Sequence, residues 1–164
     1  MAILFPGEYL NSTYDIDFDK LYKKGYRGVI FDVDNTLVPH GEPADERAIA
    51  LFTHLKELGF ESMLLSNNKE LRVKKFNDAV NVNYIYKANK PLPDNYKKAM
   101  HIMGTTKETT IFVGDQIFTD VLTGKFGKMK SILVPPIKDK RNLLFRFKRA
   151  LERPILNEYF NKHK

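Results

Sequence analysis

The chain predicts an α/β fold, a central, mostly parallel five-stranded sheet with helices on both faces. Three observations point to it. Short apolar runs recur near residues 27–32, 60–65, 83–86, 109–113 and 130–134. Segments with helical spacing separate them. Three of the apolar runs end in polar, chemistry-bearing residues, and ligands bind outside the carboxyl ends of the strands in open parallel sheets.

In chain order, residues 1–23 read as a partly irregular lead-in, with Phe5, Tyr9 and Leu10 apolar and Pro6-Gly7 breaking regularity. The first strand follows near 27–32. A helix then starts close to Pro43, which a first helical turn tolerates. Its apolar residues Ala48, Leu51, Phe52, Leu55 and Leu58 keep helical spacing, and Gly59 stops it. Further helices are expected over about 69–80, 94–103 and 117–125, the one over 94–103 closing at Gly104. The predicted organisation is one domain: lead-in 1–23, core 24–136 and a basic amphipathic tail 137–164.

The 164 residues suffice for one well-buried core, and 43% of them are hydrophobic. Cys is absent, which excludes disulfides and thiolate metal sites. No apolar run approaches the roughly 20 residues that span a bilayer. The N-terminus has no basic region followed by a sustained apolar stretch, so no secretory signal is expected and a cytoplasmic protein is the default. The net charge is +7, and nine Lys/Arg against three Asp/Glu between Lys138 and Lys164 account for six of those charges. This asymmetry points to an anionic partner surface.

The apolar run Gly28-Val29-Ile30-Phe31 leads directly into Asp32-Val33-Asp34-Asn35-Thr36-Leu37. Alternate residues of a strand face opposite ways, so Asp32 and Asp34 meet one ligand only if the chain turns right after Asp32. A second run, Met63-Leu64-Leu65, ends in Ser66-Asn67-Asn68, and Lys90-Pro91 lies downstream. A third run, Ile111-Phe112-Val113, ends in Gly114-Asp115, with Asp120 five residues on. At ~4 Å and an effective dielectric near 20, each pair of converging carboxylates repels by about 4 kcal/mol. A divalent cation relieves that repulsion. No Cys or His occurs in these motifs, so hard oxygen ligands favour Mg²⁺ over zinc.

In this order and form the motifs resemble those of the haloacid dehalogenase-like phosphatases, over about Lys24 to Pro136. The resemblance implies a three-layer, Rossmann-like fold with the first core strand central. It also implies that Asp32 is a metal ligand and the nucleophile that forms an aspartyl-phosphate. Asp34 binds the metal through its backbone carbonyl, and its side chain acts as general acid and then base. Asp115 completes the metal shell, Asp120 orients Lys90 or a metal-bound water, and Ser66 and Asn67 bind phosphoryl oxygens. Thr36 is either a further substrate contact or a turn residue. Lys87 competes with Lys90 for the cationic role, and Lys90 is preferred because the family's lysine commonly precedes Pro. Gln116 stands where some relatives carry a second acid.

Larger members of the family carry a cap domain after the first motif or between the second and third. Here 38–42 is long enough only for a small flap, and 67–90 is used up by one helix and one strand. A capless site suits a phosphate displayed on something large. In the tail, Leu143, Leu144, Phe147, Leu151 and Ile155 form an apolar stripe flanked by Arg141, Arg146, Lys148, Arg149 and Arg153. Such a helix either lies on an anionic membrane or packs its stripe on the sheet. The chain is similar to the small capless branch that includes phosphatidylglycerophosphate phosphatases of bacteria and mitochondria. The leading expectation is a Mg²⁺-dependent phosphomonoesterase acting on a membrane phospholipid from the cytoplasmic side. Alternatives are a phosphatase for nucleic-acid 3′ ends or a soluble phosphometabolite, and a non-catalytic membrane- or nucleic-acid-binding adaptor. The first is weakened by the lack of an aromatic stacking platform.

Overall fold

A computed structural model describes residues 2–138 and 143–164. Its core strands are β2 (Gly28–Phe31), β3 (Glu61–Leu65), β4 (Asn83–Ile85), β5 (Thr110–Gly114) and β6 (Lys130–Leu133), preceded by a short β1 (Glu8–Tyr9). All pairings are parallel, in the order β1-β6-β5-β2-β3-β4, so the sheet has six strands and β2 lies inside it. The expected five-strand sheet lacked β1. Two residues are too few for a periodicity signal, and this strand exists because Glu8 and Tyr9 align with Ile132 and Leu133 at the sheet edge.

Both faces of the sheet are covered. Along β2, Val29 and Phe31 enter one core cluster with Phe18, Phe52 and Phe76, while Ile30 enters another with Met63 and Phe112. Burial on both faces explains why these strands are apolar throughout rather than alternating. The helices are α1 (Phe18–Lys23), α2 (Glu46–Leu58), α3 (Glu70–Val80), α4 (Pro93–Met103), α5 (Leu122–Gly127) and α6 (Leu143–Lys162). Asp45 caps α2 by accepting the Ala48 N–H at 2.9 Å, and Gly59 ends it at φ 102°. The helix expected over 117–125 divides into a π-helical turn, Ile117–Val121, followed by α5. Neither loop at the site carries an inserted domain: residues 38–42 are a short flap, and 67–90 holds α3 and β4.

The lead-in braces the loop after β2. Thr13 Oγ1 donates to the Thr36 carbonyl at 2.8 Å and Tyr14 Oη to the Leu37 carbonyl at 2.6 Å. In the tail, Arg141 lies outside the described residues. The expected apolar stripe does not pack as a unit: Leu143, Leu144, Phe147 and Leu151 are exposed and only Ile155 is buried. The inward face of α6 is instead Glu152, Ile155 and Tyr159, which meets Phe5, Ile117, Val121 and Leu133. Among the described residues, no helix is long and apolar enough to cross a membrane.

Candidate active site

The site forms at the carboxyl ends of β2, β3 and β5. Asp32 follows β2, and its backbone N–H still donates to the Val113 carbonyl of β5 at 3.0 Å. The chain then turns sharply: the Asn35 N–H reaches the Val38 carbonyl at 2.7 Å, and Asn35 sits at φ 62°, a left-handed conformation that Asn tolerates better than most residues. Asp115 follows β5, and Asp120 comes from the π-helical turn. Gly114 permits this approach, because a Cβ there would collide with the Asp120 carboxyl.

Among the described residues, Asp32, Asp115 and Asp120 form a buried carboxylate group with ligand atoms within 4.8 Å of one another. Lys90 threads between two of them, 3.0 Å from Asp32 Oδ1 and 2.7 Å from Asp120 Oδ1. The second Asp120 oxygen accepts the backbone N–H groups of Asp115 and Gln116, each at 3.1 Å. Lys87, the rival cation, is exposed. Burial pushes the Asp32 carboxyl up to about 6, against the pull of Lys90 and with added repulsion from Asp120. Asp115 is also raised well above the ordinary carboxylate range, by burial first and then by the charges of Asp32 and Asp120. Burial would lower Lys90, but Asp120 and Asp32 more than reverse this and hold it firmly protonated.

The Asp34 side chain leaves this group and faces the flap. It accepts from the Gly41 N–H (2.9 Å), Asn68 Nδ2 (3.1 Å) and Arg72 Nε (2.8 Å), and His40 Nδ1 lies 3.4 Å away. Burial works to raise this carboxyl, but Gly41, Arg72 and Asn68 outweigh it and hold it below its usual value. Ser66 is buried directly after β3, and its Oγ accepts the Asn68 N–H at 3.1 Å. Asn67 Oδ1 accepts the Lys90 N–H at 2.8 Å, and Thr36 Oγ1 donates to Asp115 Oδ1 at 3.2 Å. Thr36 and Asn67 thus have protein partners in this structure, and both hold members of the acidic cluster or its lysine.

Three residues at the site escaped the sequence reading. Arg149 of α6 donates to both the carboxylate and the backbone carbonyl of Asp115, each at 2.5 Å, and to Glu152 Oε2 at 2.8 Å. Glu152 in turn accepts the Ile117 N–H at 2.9 Å. Arg72 grips Asp34, and its two terminal nitrogens are buried with no hydrogen-bond partner among the described residues. Arg72 carried a weak signal, four residues past Asn68 in the first turn of a helix. Arg149 and Glu152 carried none, because they lie over 30 residues from Asp115 and look like part of a solvated helix face.

A parallel sheet with an acidic cluster and a buried lysine at its carboxyl rim defines a hydrolase site of one kind. The chain belongs to the haloacid dehalogenase-like hydrolases: that family's model matches residues 43–126. It is a phosphatase of that family, whose members use a divalent metal ion. It is 38% identical over 153 residues to the Probable phosphatase YqeG of Bacillus subtilis, covering 93% of this chain and 89% of that protein. It is 28% identical over 159 residues to an Arabidopsis thaliana protein named Phosphatidylglycerophosphate phosphatase 1, chloroplastic/mitochondrial, of which it spans 45%. The fold is shared with the cobalt-bound form of the deoxy-D-mannose-octulosonate 8-phosphate phosphatase from Haemophilus influenzae. That match has a TM-score of 0.54 at 16% identity and covers 82% of this chain and 90% of the other.

Proposed function

We propose that the chain hydrolyses a phosphomonoester through an aspartyl-phosphate on Asp32, with Mg²⁺ as the cofactor, and that its substrate is a membrane phospholipid of the phosphatidylglycerophosphate type. The observation that carries the chemistry is the buried group Asp32, Asp115 and Asp120 closed by Lys90. Its donors are all oxygen, and burial first, then repulsion from neighbouring carboxylates, raises the Asp32 and Asp115 carboxyls despite Lys90 and Arg149, so a bound cation would favour their ionised form. Mg²⁺ suits such donors, held by Asp32, Asp115 and the backbone carbonyl of Asp34. When bound it supplies positive charge against the carboxylates and the phosphoryl oxygens.

In the first step, a carboxylate oxygen of Asp32 bonds to phosphorus as the ester P–O bond breaks, and the Asp34 carboxyl protonates the departing alkoxide. In the second, Asp34 takes a proton from water while that water's oxygen bonds to phosphorus and the bond to Asp32 breaks. Lys90 offsets charge on the transferring phosphoryl oxygens, and Asp120 positions Lys90. Ser66 and the backbone around Asn67 hold those oxygens, with Thr36 keeping Asp115 in place. In the resting arrangement the Gly41 N–H, Arg72 and Asn68 keep Asp34 ionised, so the acid step needs Asp34 to gain its proton as substrate enters.

Three observations support the phospholipid substrate: the lack of an inserted cap, the name of the Arabidopsis relative, and the basic, apolar outer face of α6. Peripheral contact with an anionic bilayer through α6 follows from the same face. The test is hydrolysis, with and without Mg²⁺, of phosphatidylglycerophosphate, 3′-phosphorylated DNA, a sugar-phosphate panel and an aryl phosphate. The lipid is expected to be preferred, and Asp32→Asn to lose at least a thousandfold in kcat on every substrate, on the order of the contribution of a covalent nucleophile. A variant that keeps its rate removes Asp32 as nucleophile. Preference for DNA or a sugar phosphate removes the lipid assignment and leaves the phosphatase.

A further inference from the structure

A groove of about 1260 Å³ runs from Asp115 beneath the first half of α6. Its size exceeds the roughly 300–1,000 Å³ of ordinary small-molecule sites. Its walls are mainly apolar, with Pro135 and Pro136 after β6 on one side and Leu144, Phe147 and Leu156 of α6 on the other. Arg146, Arg149 and Arg153 also line it. Leu144 and Phe147 are 62% and 61% exposed, an unusual cost for large apolar side chains beside a charged pocket.

We infer that this groove binds the diacylglycerol end of the substrate lipid, with acyl carbons along Leu144, Phe147 and Leu156 and the lipid's phosphodiester beside the arginines. The inference rests on the phospholipid reading above and deepens it. Two features favour a lipid over any other occupant. The groove abuts the catalytic cluster at Asp115, so its occupant lies next to the reaction centre. Its lining also pairs long apolar walls with the guanidinium groups of Arg146 and Arg153, Arg149 being held by Asp115 and Glu152, which complements a molecule that is apolar at one end and carries a phosphodiester next to that end. A bilayer docked on the outside of α6 needs no such groove. The groove therefore distinguishes binding of an individual lipid from adhesion to a surface.

The experiment uses short-chain lipids below their critical micelle concentration, where no bilayer exists. Calorimetric titration of the full chain with dihexanoylphosphatidylglycerol, which bears no monoester and is not turned over, is compared with its deacylated counterpart glycerophosphoglycerol. Binding at least tenfold tighter for the acylated ligand is expected. In the double variant Leu144→Ser, Phe147→Ser, the two ligands are expected to bind alike. Octyl glucoside monomer, apolar but uncharged, is expected to bind at least tenfold more weakly than the lipid. Equal binding of the two glycerol ligands by the wild-type chain overturns the groove assignment, as does undiminished discrimination in the double variant or equal binding of the glucoside. Failure of the phospholipid reading looks different: dihexanoylphosphatidylglycerol binds, but dihexanoylphosphatidylglycerophosphate is hydrolysed no faster than a sugar phosphate.

Discussion

Arg149 occupies a position that a phosphatase of this kind must reconcile with its metal. Its guanidinium bonds two oxygens of Asp115, one of them on the carboxylate expected to ligate the cation. Two like charges sharing one carboxylate at short range oppose each other by about 4 kcal/mol at an effective dielectric near 20. Water reaches part of Arg149, which cuts that figure. Arg149→Gln is therefore expected to tighten Mg²⁺ binding about tenfold, read by isothermal titration calorimetry. Unchanged affinity shows that guanidinium and cation do not share Asp115. Arg72 presents the complementary case, a cation that organises the Asp34 carboxyl from outside the acidic cluster. Both arginines approach from helices, and both act on residues that the sequence placed at the ends of strands.

At the scale of the element, α6 has two unlike halves separated by Pro154, whose ring removes one backbone donor. The half that follows it is anchored: Ile155 and Tyr159 are buried, and Tyr159 and Phe160 make edge contacts with Phe5 and Tyr9 at 5.7 and 4.9 Å. The half before it exposes Leu143 at 80% and leaves Arg146 exposed at the groove. Deleting the whole helix would remove core as well as surface, so point changes are the better probe. Leu143→Ser with Leu151→Ser is expected to weaken binding to anionic vesicles severalfold while leaving the melting temperature within a few degrees. For the unmodified chain, raising salt from 50 to 500 mM is expected to weaken the same binding steeply, since each basic residue near the surface contributes about 1 kcal/mol at low salt. Co-sedimentation measures both, and salt-independent binding removes the electrostatic part of the docking.

For the molecule as a whole, the buried carboxylates connect stability to pH and to cation. Asp32 and Asp115 have folded-state values raised above those of the unfolded chain. Such groups favour the folded state fully at pH values below the unfolded carboxylate range. That advantage is lost as pH climbs through the folded values, near 6 for Asp32. The metal-free protein is therefore expected to lose the Asp32 contribution between about pH 4 and 7, with Asp115 acting in the same direction as pH rises. Mg²⁺, which binds the ionised carboxylates, is expected to raise the melting temperature more at pH 7.5 than at pH 5. Differential scanning fluorimetry across that range checks both signs. An equal Mg²⁺ effect at the two pH values places the cation away from these residues.

The sequence by itself determined the parts written in local pattern. The alternation of apolar runs and helical stretches specified the parallel sheet, because both of its faces must be buried. The polar residues ending β2, β3 and β5 marked the rim where Asp32, Ser66 and Asp115 gather. The Lys90-Pro91 pairing singled out the lysine that threads between Asp32 and Asp120. Only the tertiary structure decided which way each side chain turns and what distant residues reach. Asp34 leaves the acidic cluster because Arg72 of α3, Asn68 and the Gly41 N–H of the flap supply it with donors. Of its apolar stripe the tail buries only Ile155, together with Glu152 and Tyr159, because those three face Phe5, Ile117 and Leu133. Arg149 meets Asp115 only because α6 folds back across that rim, and no periodicity along a chain encodes a contact made 34 residues away.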